Sequence, residues 1–149
     1  STLIAPPAGL LALNGAVKGV FAPNPMPSDY VSKTKAYRAL RPIAFRHNAQ
    51  EVGALNGWAK DSSPNYRQIK AKTIIIAGDK DGVVSTEIHS KHLARDVPGA
   101  ELVIVHNLGH KSDYVARDLA IAAMEKIGGK SRNLKSIAKT LESKIASDK

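Results

Sequence analysis

The chain contains no cysteine, which excludes disulfides, thiolate catalysis and cysteine-based metal sites. It also lacks an apolar run of about eighteen residues, so no transmembrane helix is predicted. Aromatic residues make up only 5% of the sequence. Because no aromatic stacking platform or recognition motif accompanies the net charge of +9, nucleic-acid binding is disfavoured.

The positive charge is concentrated at the C-terminal end. Residues 126–149 hold seven basic residues against Glu142 and Asp148, a net charge of +5. Apolar side chains fall on one helical face opposite the lysines, at Leu134, Ile137, Ala138, Leu141 and Ile145. We predict that 129–149 forms a basic amphipathic helix docked on its own fold or on a partner chain, with membrane-surface contact as a second option.

Three short apolar runs predict parallel strands, at residues 2–5, 72–77 and 101–106. The last two do not alternate with polar residues, so they are expected to be covered on both faces. Helices are predicted at 85–96, capped by Ser85, and at 112–127, ended by Gly128. Strand, helix, strand, helix indicates an α/β layer. A three-stranded sheet leaves a long edge open, so we expect the missing strands to come from another segment or chain.

After the first predicted strand, the N-terminal half is predicted to form a loop and helices. Residues 9–27 are rich in Gly, Ala, Asn and Pro and predict a loop that follows the first strand within a 1–27 segment. Residues 28–58 show loose helical periodicity, with Ser28 as a cap and a break before Pro42. Ser1 opens an apolar run without a charged leader, which predicts a cut end.

Polar clusters follow the second and third predicted strands. Asp81 lies in the sequence Gly78-Asp-Lys-Asp-Gly-Val-Val, and His110 lies in Leu108-Gly-His. Sites in open parallel sheets form beyond the carboxyl ends of the strands. A carboxylate there can fix the tautomer of an imidazole, which then accepts a proton from a nucleophile.

These two segments, in this order and about thirty residues apart, resemble the acid and histidine segments of the alpha/beta-hydrolase superfamily. The resemblance covers residues 1–128. It implies the C-terminal part of that fold: three parallel strands with flanking helices, a helical cap over 28–69, and a hydrolase core over 70–128. It also implies a serine hydrolase, esterase-like, acting on carboxylic esters or related acyl compounds without a cofactor.

Under this interpretation Asp81 and His110 are catalytic, and Val83, Val84 and Trp58 are candidate substrate contacts. The chain has no Gly-x-Ser-x-Gly elbow, so the nucleophile is expected on an upstream segment or companion chain. Alone, the 149 residues are expected to be inert. The expected partners are that segment and a small acyl substrate.

The sequence also allows other interpretations. An aspartate nucleophile upstream would make a dehalogenase or epoxide hydrolase, and a non-catalytic member would bind only a ligand or partner. Ser1 as an N-terminal nucleophile conflicts with its place at the start of a strand. A calcium loop at Asp79–Gly82 fails because Ile88 falls where a glutamate is required, and Asp79 is interpreted as a loop residue. His89 and His92 lack a third metal ligand. His106 falls inside the third predicted strand and is expected to be a hydrogen-bonded interior residue.

Overall fold

The computed structural model describes residues 5–148, with side chains from residue 8 onward. The chain forms two compact units. The helical unit comprises the described residues up to Gly19 together with Met26–Asn65. The sheet unit comprises Val20–Pro25 and the described residues from Tyr66 onward. No helix among the residues described is long and apolar enough to cross a membrane.

Helix α1 spans Ala5–Phe21, so the loop predicted for most of residues 9–27 is wrong. The prediction gave too much weight to the glycines and Asn14. The segment is also rich in Ala and Leu, the strongest helix formers, and their summed propensity opposes the glycine cost. The helix ends just before Ala22-Pro23, where the proline disfavours helical conformation at the preceding residue.

The rest of the helical unit is a short helix α2 (Tyr30–Thr34), a 3-10 turn (Ala36–Leu40) and a long helix α3 (Pro42–Ser62). Pro42 occupies the first position of α3, which confirms the predicted break at that residue. The predicted cap at Ser28 is wrong, because α2 begins one residue later, at Tyr30 after Asp29. The Asp29 side chain makes no cap hydrogen bond, and its Oδ2 pairs instead with Lys33 Nζ at 2.8 Å.

A second 3-10 turn (Ser63–Gln68) leads into the sheet unit, which contains strands β1 (Ile74–Gly78) and β2 (Glu101–Val105). The strands pair in parallel, with Ile74 opposite Glu101 and Gly78 opposite Val105. The second and third of the three predicted strands are therefore present and parallel, within two residues at each end. The predicted strand at 2–5 lies outside the described residues except for Ala5, which begins α1, so the described sheet has two strands rather than three.

The crossover between the strands follows the sequence prediction. The hydroxyl of Ser85 accepts a hydrogen bond from Ile88 N at 3.4 Å, and a π-helical turn (Thr86–Ser90) continues into helix α4 (Lys91–Asp96). Gly99 takes a positive φ of 71° in the turn that enters β2. Glycine adopts this conformation without the Cβ clash that other residues meet.

After β2 come α5 (Ser112–Val115), α6 (Arg117–Ile127) and α7 (Leu134–Ser147). The apolar face of α7 packs on β2 and α6, which is one of the two docking surfaces that the sequence left open. The core of the sheet unit is formed by Val103, Val105, Leu108, Ala116, Leu119, Ala122, Ala123, Leu134, Ala138 and Ile145.

The strands are not covered equally on both faces, contrary to the sequence prediction. Val103 and Val105 are buried, whereas Ile104, which points to the opposite face of β2, is 37% exposed. The assignment of 28–69 to a cap and of 70–128 to a hydrolase core stays a prediction, as does membrane contact by the tail.

Candidate functional site

The loops that follow β1 and β2 run side by side beyond the sheet. Asp79 N donates to Val105 O at 3.2 Å, and Lys80 N donates to Leu108 O at 3.1 Å. This close approach requires glycine at position 78, since a Cβ there would lie 2.0 Å from the carbonyl oxygen of Leu108. The parallel pairing therefore continues past the strand ends and brings the two predicted polar clusters together.

Asp81 and His110 meet at this end of the sheet. His110 Nδ1 lies 3.0 Å from Asp81 Oδ2, and the two side chains are 34% and 13% exposed, respectively. The second carboxylate oxygen, Oδ1, accepts hydrogen bonds from Val83 N at 2.9 Å and Val84 N at 2.8 Å. Both carboxylate oxygens are thus held, and the loop after Asp81 fixes the orientation of the acid.

The environment of Asp81 keeps its carboxyl group ionised. Burial by itself raises the pKa of Asp81, but the hydrogen bonds from Val84 N, His110 and Val83 N outweigh it and lower the pKa below the ordinary value of 3.8. An ionised carboxylate can only accept hydrogen bonds. His110 Nδ1 must therefore carry a proton, which leaves Nε2 of the neutral ring as a free base.

The three predicted substrate contacts are placed differently. Val83 and Val84 lie in the loop after the acid, with 56% and 37% of their surface exposed. Trp58 lies on α3 in the helical unit and is 61% exposed. Substrate contact by any of these residues stays a prediction.

Two residues that hold the site, Asn24 and Asp79, were not predicted from the sequence. Asn24 is 6% exposed, and its side chain bonds to Asn107 O and Gly109 N. It lies in a stretch predicted as loop, and no local pattern distinguishes it. Asp79 was assigned to the loop alone, yet it bonds to Asn107 N at 2.7 Å. Its position directly after a buried strand was a signal that could have found it.

His106 was predicted to be a hydrogen-bonded interior residue. It is hydrogen-bonded, with Nδ1 at 2.5 Å from Asp79 Oδ2, but its side chain is 64% exposed. The reason is that β2 ends at Val105, so position 106 lies past the covered part of the strand.

The described residues include no group of three or more histidine, aspartate or glutamate side chains that could hold a metal ion. A cavity of about 230 Å³ lies between α6 and α7, away from the acid and the histidine. It is lined by Val115, Ala116, Asp118, Leu119, Ile137, Thr140, Leu141 and Lys144.

No protein-family model matches the chain. A segment of 61 residues is 34% identical to a proline iminopeptidase, PfmaB, from Pestalotiopsis fici. The match covers 41% of this chain and 21% of the length of that protein. The similarity is therefore partial, and the described fold is mixed α/β with a two-stranded parallel sheet.

Proposed function

We propose that this chain supplies the acid and the base of the catalytic triad of a serine hydrolase that acts on carboxylic esters or related acyl compounds. One observation carries the proposal: an ionised carboxylate, Asp81, lies 3.0 Å from the Nδ1 atom of His110 beyond the carboxyl ends of adjacent parallel strands. Sites in open parallel sheets form at these ends.

The chemistry assigned to these residues is acyl transfer. The serine oxygen attacks the acyl carbon while His110 Nε2 accepts the proton of the serine hydroxyl. Asp81 stabilises the imidazolium that forms. The imidazolium then gives that proton to the departing alcohol or amine, leaving an acyl-enzyme. Water, activated by the same nitrogen, hydrolyses the acyl-enzyme and regenerates the serine.

The serine is the partner that the proposal requires from outside these 149 residues, because the sequence contains no Gly-x-Ser-x-Gly elbow. A segment that carries the elbow, an oxyanion-binding loop and further strands would pair with the sheet. The small-molecule substrate would lie at the strand ends, with Val83 and Val84 as candidate contacts.

A second candidate is the hydrolysis of an amide bond after an N-terminal proline. The observation that favours it is the partial similarity to a protein named a proline iminopeptidase. Ester and amide hydrolysis use the same acid and base, so the substrate distinguishes them. Turnover of p-nitrophenyl acetate and of proline p-nitroanilide by the assembled protein separates the two.

The test of the triad uses the protein assembled with its serine-bearing segment. We expect Asp81→Asn to lower kcat by about 10⁴-fold and His110→Ala to abolish labelling of the serine by a fluorophosphonate probe. Asp118→Asn, which changes a carboxylate whose side chain is 87% exposed, is the matched control and should keep full activity. Wild-type turnover in either site variant would end the proposal.

An aspartate at the elbow position would instead assign the alternative chemistry of a dehalogenase or epoxide hydrolase.

A further inference from the structure

The turn from β2 to His110 has an unusual backbone. Asn107 has a φ of 58°, a left-handed conformation that asparagine tolerates better than most residues. Gly109 passes so close to the chain at Ala22 that a Cβ would lie 2.2 Å from the Ala22 carbonyl oxygen. A turn of this kind is stable only if its surroundings hold it in place.

Asn24 holds one side of the turn through both ends of its amide. Its Nδ2 donates to Asn107 O at 2.9 Å, and its Oδ1 accepts from Gly109 N at 2.8 Å. The side chain is buried, and the two bonds are not interchangeable. One needs the amide NH₂ as a donor, and the other needs the amide oxygen as an acceptor. An aspartate of the same shape would set an oxygen against the oxygen of Asn107.

Asp79 holds the other side. Its Oδ1 accepts from Asn107 N at 2.7 Å, and its Oδ2 lies 2.5 Å from His106 Nδ1. Asp79 lies two residues before Asp81, so the loop that carries the acid also binds the turn that carries the base. Asp79 and Asn24 both act on the backbone that leads to His110.

We infer that Asn24 and Asp79 are positioning residues, which clamp Asn107 from its carbonyl and amide sides so that His110 Nδ1 faces Asp81. The inference rests on the proposed function of the Asp81–His110 pair. The clamp fixes the tautomer of His110: the proton stays on Nδ1, and Nε2 stays free to accept a proton. A misplacement of about 1 Å costs on the order of 10²-fold in rate, so the clamp determines kcat rather than KM.

The test reads the tautomer of His110 directly in the 149-residue chain. Ring-nitrogen NMR of the ¹⁵N-labelled protein at about pH 9, where an ordinary imidazole is neutral, identifies the protonated nitrogen. We expect wild type to hold the proton on Nδ1. Asn24→Asp and Asp79→Ala should shift it substantially to Nε2, while Asp79→Asn, which keeps an acceptor for Asn107 N, should restore Nδ1. Asn56→Asp, the same chemical change on an exposed residue, is the control.

Backbone amide spectra of β1 and β2 report whether each variant keeps its fold. If Asn24→Asp unfolds, the comparison of Asp79→Ala with Asp79→Asn decides the matter, since Asp79 is partly exposed. An Nδ1–H tautomer that persists in folded Asp79→Ala and Asn24→Asp would overturn the clamp and leave the proposed triad standing. A wild-type His110 protonated on Nε2, by contrast, would overturn the Asp81–His110 pair itself and the clamp with it.

Discussion

At the scale of single residues, the charge state of Asp81 determines what His110 can do. A carboxylate that accepts two backbone N–H bonds and one from an imidazole is stabilised in its ionised form. The same bonds tie the loop after β1 to the turn after β2, so they also stabilise the fold. Protonation of Asp81 therefore removes a base-orienting group and a structural contact together.

The stability of the protein should therefore depend on pH through the ionisation of Asp81. Because the folded-state pKa of Asp81 is lowered, its contribution to stability is complete above 3.8 and is lost as the pH falls through the folded value. We expect wild type to be more stable than Asp81→Asn at neutral pH, with the two stabilities converging below pH 3.8. Chemical denaturation of both proteins across that range measures it. A gap that stays constant in acid would show that folding does not lower the pKa of Asp81.

At the scale of elements, α7 illustrates how capping and packing combine. Asn133 accepts a hydrogen bond from Ser136 N at 3.1 Å through its side-chain oxygen, which satisfies one of the free N–H groups at the start of the helix. Leu134, in the first turn, is 1% exposed. The cap therefore fixes the start of α7 where its buried face begins.

We expect Asn133→Ala to destabilise the protein by about 1 kcal/mol, because the Ser136 N–H loses its partner. Asn133→Ser keeps a side-chain acceptor and should remain close to wild type. Urea denaturation followed by circular dichroism provides the comparison. Equal stability of the alanine and serine variants would mean that the cap contributes nothing to α7.

At the scale of the whole molecule, the core that supports the site lies behind β2, between α6 and α7. Leu119 on α6 is 1% exposed, while Met124 on the same helix is 63% exposed. The helix therefore carries one large apolar residue that is buried and another that is exposed to solvent. Removal of a buried side chain leaves a cavity, whereas removal of an exposed one does not.

Leu119→Ala should destabilise the sheet unit by about 2–5 kcal/mol. Met124→Ala, the control on the same helix, should change stability by less than about 0.5 kcal/mol. The two variants are compared by thermal and denaturant unfolding. Similar losses in both would contradict the position of the core.

The local patterns of the sequence were sufficient for some features. Both described strands, the cap at Ser85, the break at Pro42 and the docking face of α7 follow from residue type and spacing. These features depend on contacts between near neighbours, which the sequence displays directly. Glycine-rich helix α1 was missed because its glycines suggest a loop while its Ala and Leu residues favour a helix.

The sequence by itself determined which chemical groups are present: an acid after one buried strand and an imidazole after the next. Only the tertiary structure decided that they meet, because the parallel register of β1 and β2 is a long-range property. The role of Asn24 is likewise tertiary, since its partners at Asn107 and Gly109 lie more than eighty residues away in the chain. Hydrogen bonds across such distances form only after the chain has folded, and no local pattern encodes them.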